Sequence, residues 1–330
     1  MCTAITFKTK DFYFGRTLDY EHSFSQEVIL TPRQFSLQYR ALPDQKKHYA
    51  ILGIGCIGDG YPLYFDAVNE AGLAMAGLNF VGNACYQEPV EGKENVTHFE
   101  LIPWLLSQCD SLMMVKQKIK HLNITKEAFH PGYPASQLHW LIADRQGSIT
   151  LEATQSGLHV YDNPVGVLTN NPPLPQQLMH LYNYRNLTVE PGENRFSADL
   201  ELPAYSRGMG AMGLPGDFSS QSRFVRGAFL KANSIAPETE EGAVSQFFHI
   251  MDSVRVPAGA VRLEDGSLDI TQYTSCCNAD KGICYYTTYG NRQIRGIHMH
   301  RENLNTTRLL RWPMGEGQQV AWQNPVAKNS

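Results

Sequence analysis

The chain begins with an alternation of apolar and polar positions. "TAITF" (3–7) and "FYFGR" (12–16) each read as a strand, and "KTKD" (8–11) between them has turn composition. Together they predict a hairpin that starts at Cys2. The period-two pattern continues through "EVILT" (27–31), "FSLQYR" (35–40) and "YAILGI" (49–54). "GLAMAGLNF" (72–80) predicts a strand kept slim by Ala and Gly, which lets a ligand or another backbone come close.

Helical spacing follows. Thr97 and Glu100 make a capping box ahead of "LIPWLLSQC", with Pro103 expected to bend that helix early. Asp110 or Ser111 caps a second helix, in which Leu112, Val115, Ile119 and Leu122 share a face. Strands return at 138–144, 148–153, 158–162 and 165–170, then a helix at 174–184. Residues 186–221 carry little pattern and are too many for an ordinary loop, so they are expected to serve a binding edge or a subunit contact. Helices at 222–233 and 241–254 precede strands at 270–277, 282–288 and 292–299. Runs of strands and runs of helices do not alternate one by one, as a doubly wound fold requires. The pattern predicts one layered α+β domain over residues 1–330, with packed antiparallel sheets and helices outside.

Composition adds limits. Hydrophobic residues make up 42% and charged ones 18%, enough apolar material for a sizeable core. The net charge of −4 and the scattered basic residues argue against a nucleic-acid partner. No apolar run approaches the roughly 18 residues of a membrane span. The first 20 residues lack the pattern of a secretory leader. Seven scattered cysteines form no disulfide framework, so a reducing cytoplasm is the expected compartment and the N-x-T triplets are chance.

Candidate chemistry starts at the second residue. Removal of Met1 would leave Cys2 with a thiol and an α-amine on one carbon, a nucleophile beside a base. Free groups of these kinds titrate at about 8.5 and about 7.7–8.0. The hairpin returns Arg16 and Asp19 of "GRTLD" beside Cys2, so a guanidinium can favour thiolate and a carboxylate can hold the amine. An ordinary ion pair at a strand end would look the same. Asn79 and Asn170 end "GLN" and "VLTN", where amides can polarise a carbonyl or simply make turns. Arg223 alone reads as a surface or capping residue.

Other signals fail. His298 and His300 lack companion ligands, and Cys276, Cys277 and Cys284 lack CxxC spacing, so no metal is expected. The glycines of 208–217 contain no phosphate-loop signature. His139 and His249 lie among apolar residues. No cofactor is indicated.

Five segments in order, "MCTAIT", "FGRTLD" (14–19), "EAGLAMAGLNF" (70–80), "GVLTNNP" (166–172) and "GLPGDFSSQSRF" (213–224), resemble the choloylglycine hydrolase family. "YTSCCN" and "YYTTYGNRQI" extend the likeness toward the end. This family of bile salt hydrolases and penicillin V acylases belongs to the N-terminal nucleophile hydrolases. The resemblance implies a four-layer αββα sandwich and a homotetramer assembled through the segment after 186. It implies Cys2 as nucleophile and base, Arg16 and Asp19 as its tuning pair, and Asn79 and Asn170 as the oxyanion hole. Arg223 would add positive charge.

Asparagine at 79, where the acylases typically carry tyrosine, points to conjugated bile acids as substrate. Leu18, Tyr61, Phe65 and the loop carrying Tyr133 and Ala135 are candidate walls for a sterol. Arg207 is a candidate rim contact for the conjugate's anion and favours taurine. A penicillin V or other N-acyl amidase is the rival within the same chemistry. A non-catalytic sterol-binding protein is the rival outside it.

Overall fold

The computed structural model describes residues 1–132 and 135–324. Two antiparallel sheets are packed face to face. The first holds six strands in the order 167–168, 2–8, 12–20, 270–278, 283–288 and 295–298. The second holds eight, in the order 157–162, 147–154, 138–144, 74–79, 61–69, 51–58, 27–31 and 310–313. A two-stranded parallel pair, 94–97 with 122–125, stands apart.

Side-chain alternation sorts residues into layers. On the first two strands Cys2, Ala4, Phe14 and Leu18 face inward and meet Val28, Leu52, Val68, Ala76 and Leu78 of the larger sheet. Ile5, Phe7 and Tyr13 face outward, under the helices Ser220–Asn233 and Glu240–Asp252. The larger sheet's outer face packs Met75, Trp140 and Ile142 against the helices Leu101–Gln108 and Leu112–Lys118. The result is the α+β arrangement expected, helices outside and two sheets within.

The hairpin forms as expected, with Cys2 opposite Leu18 and Ala4 opposite Arg16. Several expectations need correction, among them Leu122, which begins the strand Leu122–Thr125 rather than extending the second helix. Residues 35–40 form no strand and make only a single bridge, Leu37 to Gln45. Pro103 lies in the first turn of its helix, where a missing N–H costs nothing, and does not end it. The capping box is half made: Glu100 accepts from the Thr97 N–H at 3.1 Å, while the Thr97 hydroxyl has no partner. Strand 61–69 escaped the pattern because Asp66, a polar residue, is fully buried within it.

Gly15 shows how closely the strands run. A Cβ there would collide with the main-chain carbonyl of Ser275 on the neighbouring strand, which no rotamer can relieve. Gly15→Ala should lower stability by about 1–3 kcal/mol in denaturant unfolding, the usual cost of forced overpacking. A midpoint equal to wild type would mean the strands separate more easily than their packing indicates.

Candidate active site

Cys2 lies at the start of an interior strand and is 2% exposed. Strand alternation places Arg16, opposite Ala4, on the same inward face. Arg16 Nη2 donates to the Cys2 sulfur at 2.6 Å. Its Nη1 donates to the carbonyl oxygens of Gly77 and Phe65, and its Nε to that of Thr17. Burial pulls the Arg16 pKa down, but Cys2, Tyr273, Asp66 and Asp19 outweigh burial and hold it above its ordinary value.

Gly77 is open to Arg16 because two strands part there. Pairing between 61–69 and 74–79 ends at Asp66 opposite Ala76, and Phe65 is an extra residue in a bulge. The Phe80 N–H bonds to Gln137 on the other neighbour. Strand groups alternate in direction, so the N–H and C=O of Asn79 turn to the vacated side. Asn170 Nδ2 donates to that Asn79 carbonyl at 2.8 Å.

Asn170 is the second fixed point. Its Oδ1 accepts from the Cys2 main-chain nitrogen at 2.9 Å and from Arg223 Nη2 at 2.7 Å. Its own N–H is held by Ser220 at 2.9 Å. Arg223, fully buried in the first turn of helix 220–233, also donates to the Cys2 carbonyl and to the Thr3 hydroxyl. It does not touch the sulfur. Burial drives its pKa down, against the charges of Asp19, Cys2 and Asp269.

Asp19 sits on the opposite face of the hairpin from the sulfur, with Thr17. Its carboxylate accepts from Thr17 at 3.1 Å and Thr271 at 2.6 Å, not from the Cys2 nitrogen. Burial pushes the Asp19 carboxyl up, and Arg223, the N-terminal amine and the Thr271 hydroxyl pull it down without cancelling that. With Met1 in place, the N-terminal amine donates to the Asp19 carbonyl at 2.7 Å and to Asp269 at 2.9 Å. With Met1 in place, the single Cys2 N–H goes to the Asn170 amide oxygen.

The wall candidates divide. Leu18 is buried directly opposite Cys2. Phe65 is half-buried and meets Phe24 edge-on at 5.5 Å, beyond which lies Tyr20. Tyr61 belongs to another group, edge-on to Phe99. Ala135 is half-buried, and Tyr133 lies outside the described residues. Arg207 is exposed in the 186–221 stretch and is not among the groups gathered at Cys2.

Asp66, Tyr273, Ser275, Asp269, Thr271 and Ser220 were missed by sequence reading. The signal available was polar residues two apart in "TQYTS". Among the described residues no group of three His, Cys, Asp or Glu side chains could hold a metal, and no helix is long and apolar enough to cross a membrane.

A family model of linear amide C–N hydrolases, the choloylglycine hydrolase family, matches residues 2–311. The chain belongs to the choloylglycine hydrolase family. It is 51% identical to a bile salt hydrolase/transferase of Lactiplantibacillus plantarum, over 95% of this chain and 97% of the relative. A bile salt hydrolase/transferase of Clostridium perfringens is 40% identical over 92% of this chain and 94% of its own. Among solved structures, a mutant conjugated bile acid hydrolase from Clostridium perfringens superposes with a TM-score of 0.91 and 37% identity, covering 98% of this chain and 100% of its own. A penicillin V acylase from Agrobacterium tumefaciens, 17% identical with a TM-score of 0.75, covers 96% of this chain and 92% of its own and shares the fold. As a member of this family the chain is an amide hydrolase of the α+β, two-sheet type.

Helix 220–233 brings Arg223 to the site, and Asp217 helps to start it. Hydrogen bonds from Ser219 and Ser222 hold the Asp217 carboxyl down at about 2, from an ordinary 3.8. A carboxyl depressed in the folded state stabilises it above the unfolded value, and the gain is lost as pH falls through the folded one. Because Asp217 is exposed, the gain should stay under about 1 kcal/mol. Asp217→Asn should flatten the fall in melting temperature between about pH 4 and pH 2. An identical acid limb in both proteins would contradict this.

Proposed function

We propose that the enzyme hydrolyses the amide bond of glycine- and taurine-conjugated bile acids through Cys2 as an N-terminal nucleophile. The observation that carries the chemistry is the Arg16 donor 2.6 Å from the Cys2 sulfur, with the nitrogen of the same residue bonded to Asn170. The substrate is supported by relatives named for bile salts and by asparagine rather than tyrosine at 79.

Removal of Met1 converts the Cys2 nitrogen from an amide to an α-amine still facing Asn170 Oδ1. The Cys2 thiol passes its proton to the α-amine, and the sulfur attacks the substrate carbonyl. The resulting oxyanion is met by the Asn79 main-chain N–H and the second Nδ2 hydrogen of Asn170. The protonated α-amine gives its proton to the leaving nitrogen, and glycine or taurine departs. Water, losing a proton to the same amine, opens the thioester and releases the bile acid. Arg223 holds the Cys2 carbonyl and Asn170 in register, and Asp19 balances its charge. Leu18, Phe65 and the aromatic group reaching Tyr20 would form the apolar wall. We place the enzyme in the cytoplasm, which the seven unpaired thiols support, and propose a homotetramer that uses the exposed 186–221 stretch.

Release of glycine from glycocholate, read by ninhydrin, tests the reading. Cleavage of phenoxymethylpenicillin without glycocholate turnover would favour the acylase rival instead. Cys2→Ser should lose nearly all turnover, because a hydroxyl is a poor nucleophile beside so weak a base. Asn170→Ala should lower kcat by roughly 10²–10³-fold, as for other single oxyanion donors. A loss under about threefold would reduce Asn170 to a turn residue.

Arg207 is proposed at the rim, where an exposed ion pair contributes about 0.2–1 kcal/mol. Arg207→Ala should therefore change the taurocholate to glycocholate ratio of kcat/KM by less than roughly fivefold. An unchanged ratio would assign Arg207 to structure.

A further inference from the structure

One buried anion near the cluster has no part in the mechanism above. Asp66 is fully buried on strand 61–69 of the larger sheet, beside the bulge at Phe65. Its two oxygens accept from hydroxyls of the other sheet: Tyr273 at 2.5 Å and Ser275 at 2.7 Å. Ser275 Oγ in turn accepts from the Arg16 main-chain N–H at 3.0 Å. Of the two acceptors within reach of the Ser275 hydroxyl, Asp66 at 2.7 Å is nearer than the Arg16 carbonyl at 3.5 Å, so Ser275 and Tyr273 are both placed to donate to the Asp66 oxygens. Burial pushes the Asp66 carboxyl up, and Arg16 with the Tyr273 and Ser275 hydroxyls pulls it back toward the charged form.

Asp66 is also among the charges that act on Arg16. The guanidinium thus feels two acidic groups on the inward face, the Cys2 thiol that it contacts and the Asp66 carboxyl. Its main chain is pinned by the hydroxyl that Asp66 orients.

We propose that Asp66 is a positioning residue for the hydrolysis. Through Ser275 it locks the stretch of strand that carries Arg16, and by its charge it sets how much of the guanidinium's field falls on the sulfur. This rests on the reading of Cys2 as nucleophile. The groups facing Arg16 and Cys2 from the packed elements are Asp19 and Tyr20 of the second strand, Asp66 of strand 61–69, Arg223 of the helix, Tyr273 of strand 270–278, and Asp269 with the N-terminal amine. Of the three carboxylates, Asp19 and Asp269 belong with the N-terminal amine and Arg223. Asp66 is the one tied to Arg16 through Ser275.

The test is the rate of Cys2 alkylation by iodoacetamide against pH, followed by the mass of the N-terminal peptide, beside steady-state kinetics. Asp66→Asn keeps the shape and removes the charge. The alkylation midpoint should move to lower pH by roughly 0.5 unit, because one negative charge that opposes the thiolate and draws on the Arg16 field is gone. Its kcat should fall about tenfold with KM within about threefold, the pattern of lost transition-state positioning. Tyr273→Phe, which leaves the carboxylate charged, should keep the midpoint in place. An Asp66→Asn midpoint equal to wild type would overturn the proposal, whatever happens to stability.

Should Asp66→Asn fail to fold, Ser275→Ala decides. A kcat loss of at least about threefold at unchanged KM is expected, and an unchanged kcat overturns the proposal. Wild-type enzyme that stays fully active after Cys2 alkylation would instead sink the nucleophile reading itself. Activity silenced by alkylation, with an unmoved Asp66→Asn profile, sinks only the role of Asp66.

Discussion

A guanidinium buried between two sheets must have every donor met, because an unpartnered charge in a protein interior costs several kcal/mol. Arg16 finds a partner for each of its three nitrogens with atoms from both sheets: the Cys2 sulfur and Thr17 carbonyl on one side, Gly77 and Phe65 carbonyls on the other. Those last two carbonyls are free only because strands 61–69 and 74–79 stop pairing beyond Asp66 and Ala76. The same parting turns the main chain of Asn79 toward the cluster. One buried cation therefore uses the gap in the sheet, and the gap leaves the Asn79 carbonyl to Asn170.

The two faces of the first hairpin divide the work. Inward-facing Cys2, Arg16 and Leu18 put the sulfur, its cationic donor and an apolar wall in one layer. Outward-facing Thr3, Thr17 and Asp19 lie with Arg223 in the other, around the peptide groups of Cys2 rather than its thiol. Charges of opposite sign are thereby placed on both sides of a strand one residue thick. Asn170 reaches from the end of the neighbouring strand and contacts the Cys2 nitrogen, Arg223 and Asn79 together.

Much of the fold was legible because most strands obey a simple period. The hairpin at 2–20, the slim strand at 74–79 and the two helices after 220 form within a few residues of their expected limits. Where the period misled, tertiary partners were the cause. "FSLQYR" alternates but pairs with nothing beyond one bridge, and 61–69 hides a buried Asp66 that only a facing Tyr273 and Ser275 make tolerable. The latter two sit some 200 residues away along the chain, beyond any local pattern.

The sequence by itself determined the chemistry on offer: a cysteine at position 2, a hairpin that returns an arginine to its side, two asparagines at strand ends, and motifs shared with one hydrolase family. Period-two patterning is local, so it also determined which face of the hairpin each of these residues takes. The tertiary structure alone decided what each side chain holds. It gave the Cys2 nitrogen to the Asn170 oxygen rather than to Asp19, and sent Arg223 to the Cys2 carbonyl rather than to the surface. It left Arg207 exposed. The reason is physical: hydrogen-bond partners for buried charges are chosen by which strands and helices meet in space, and that meeting is set by the packing of two whole sheets.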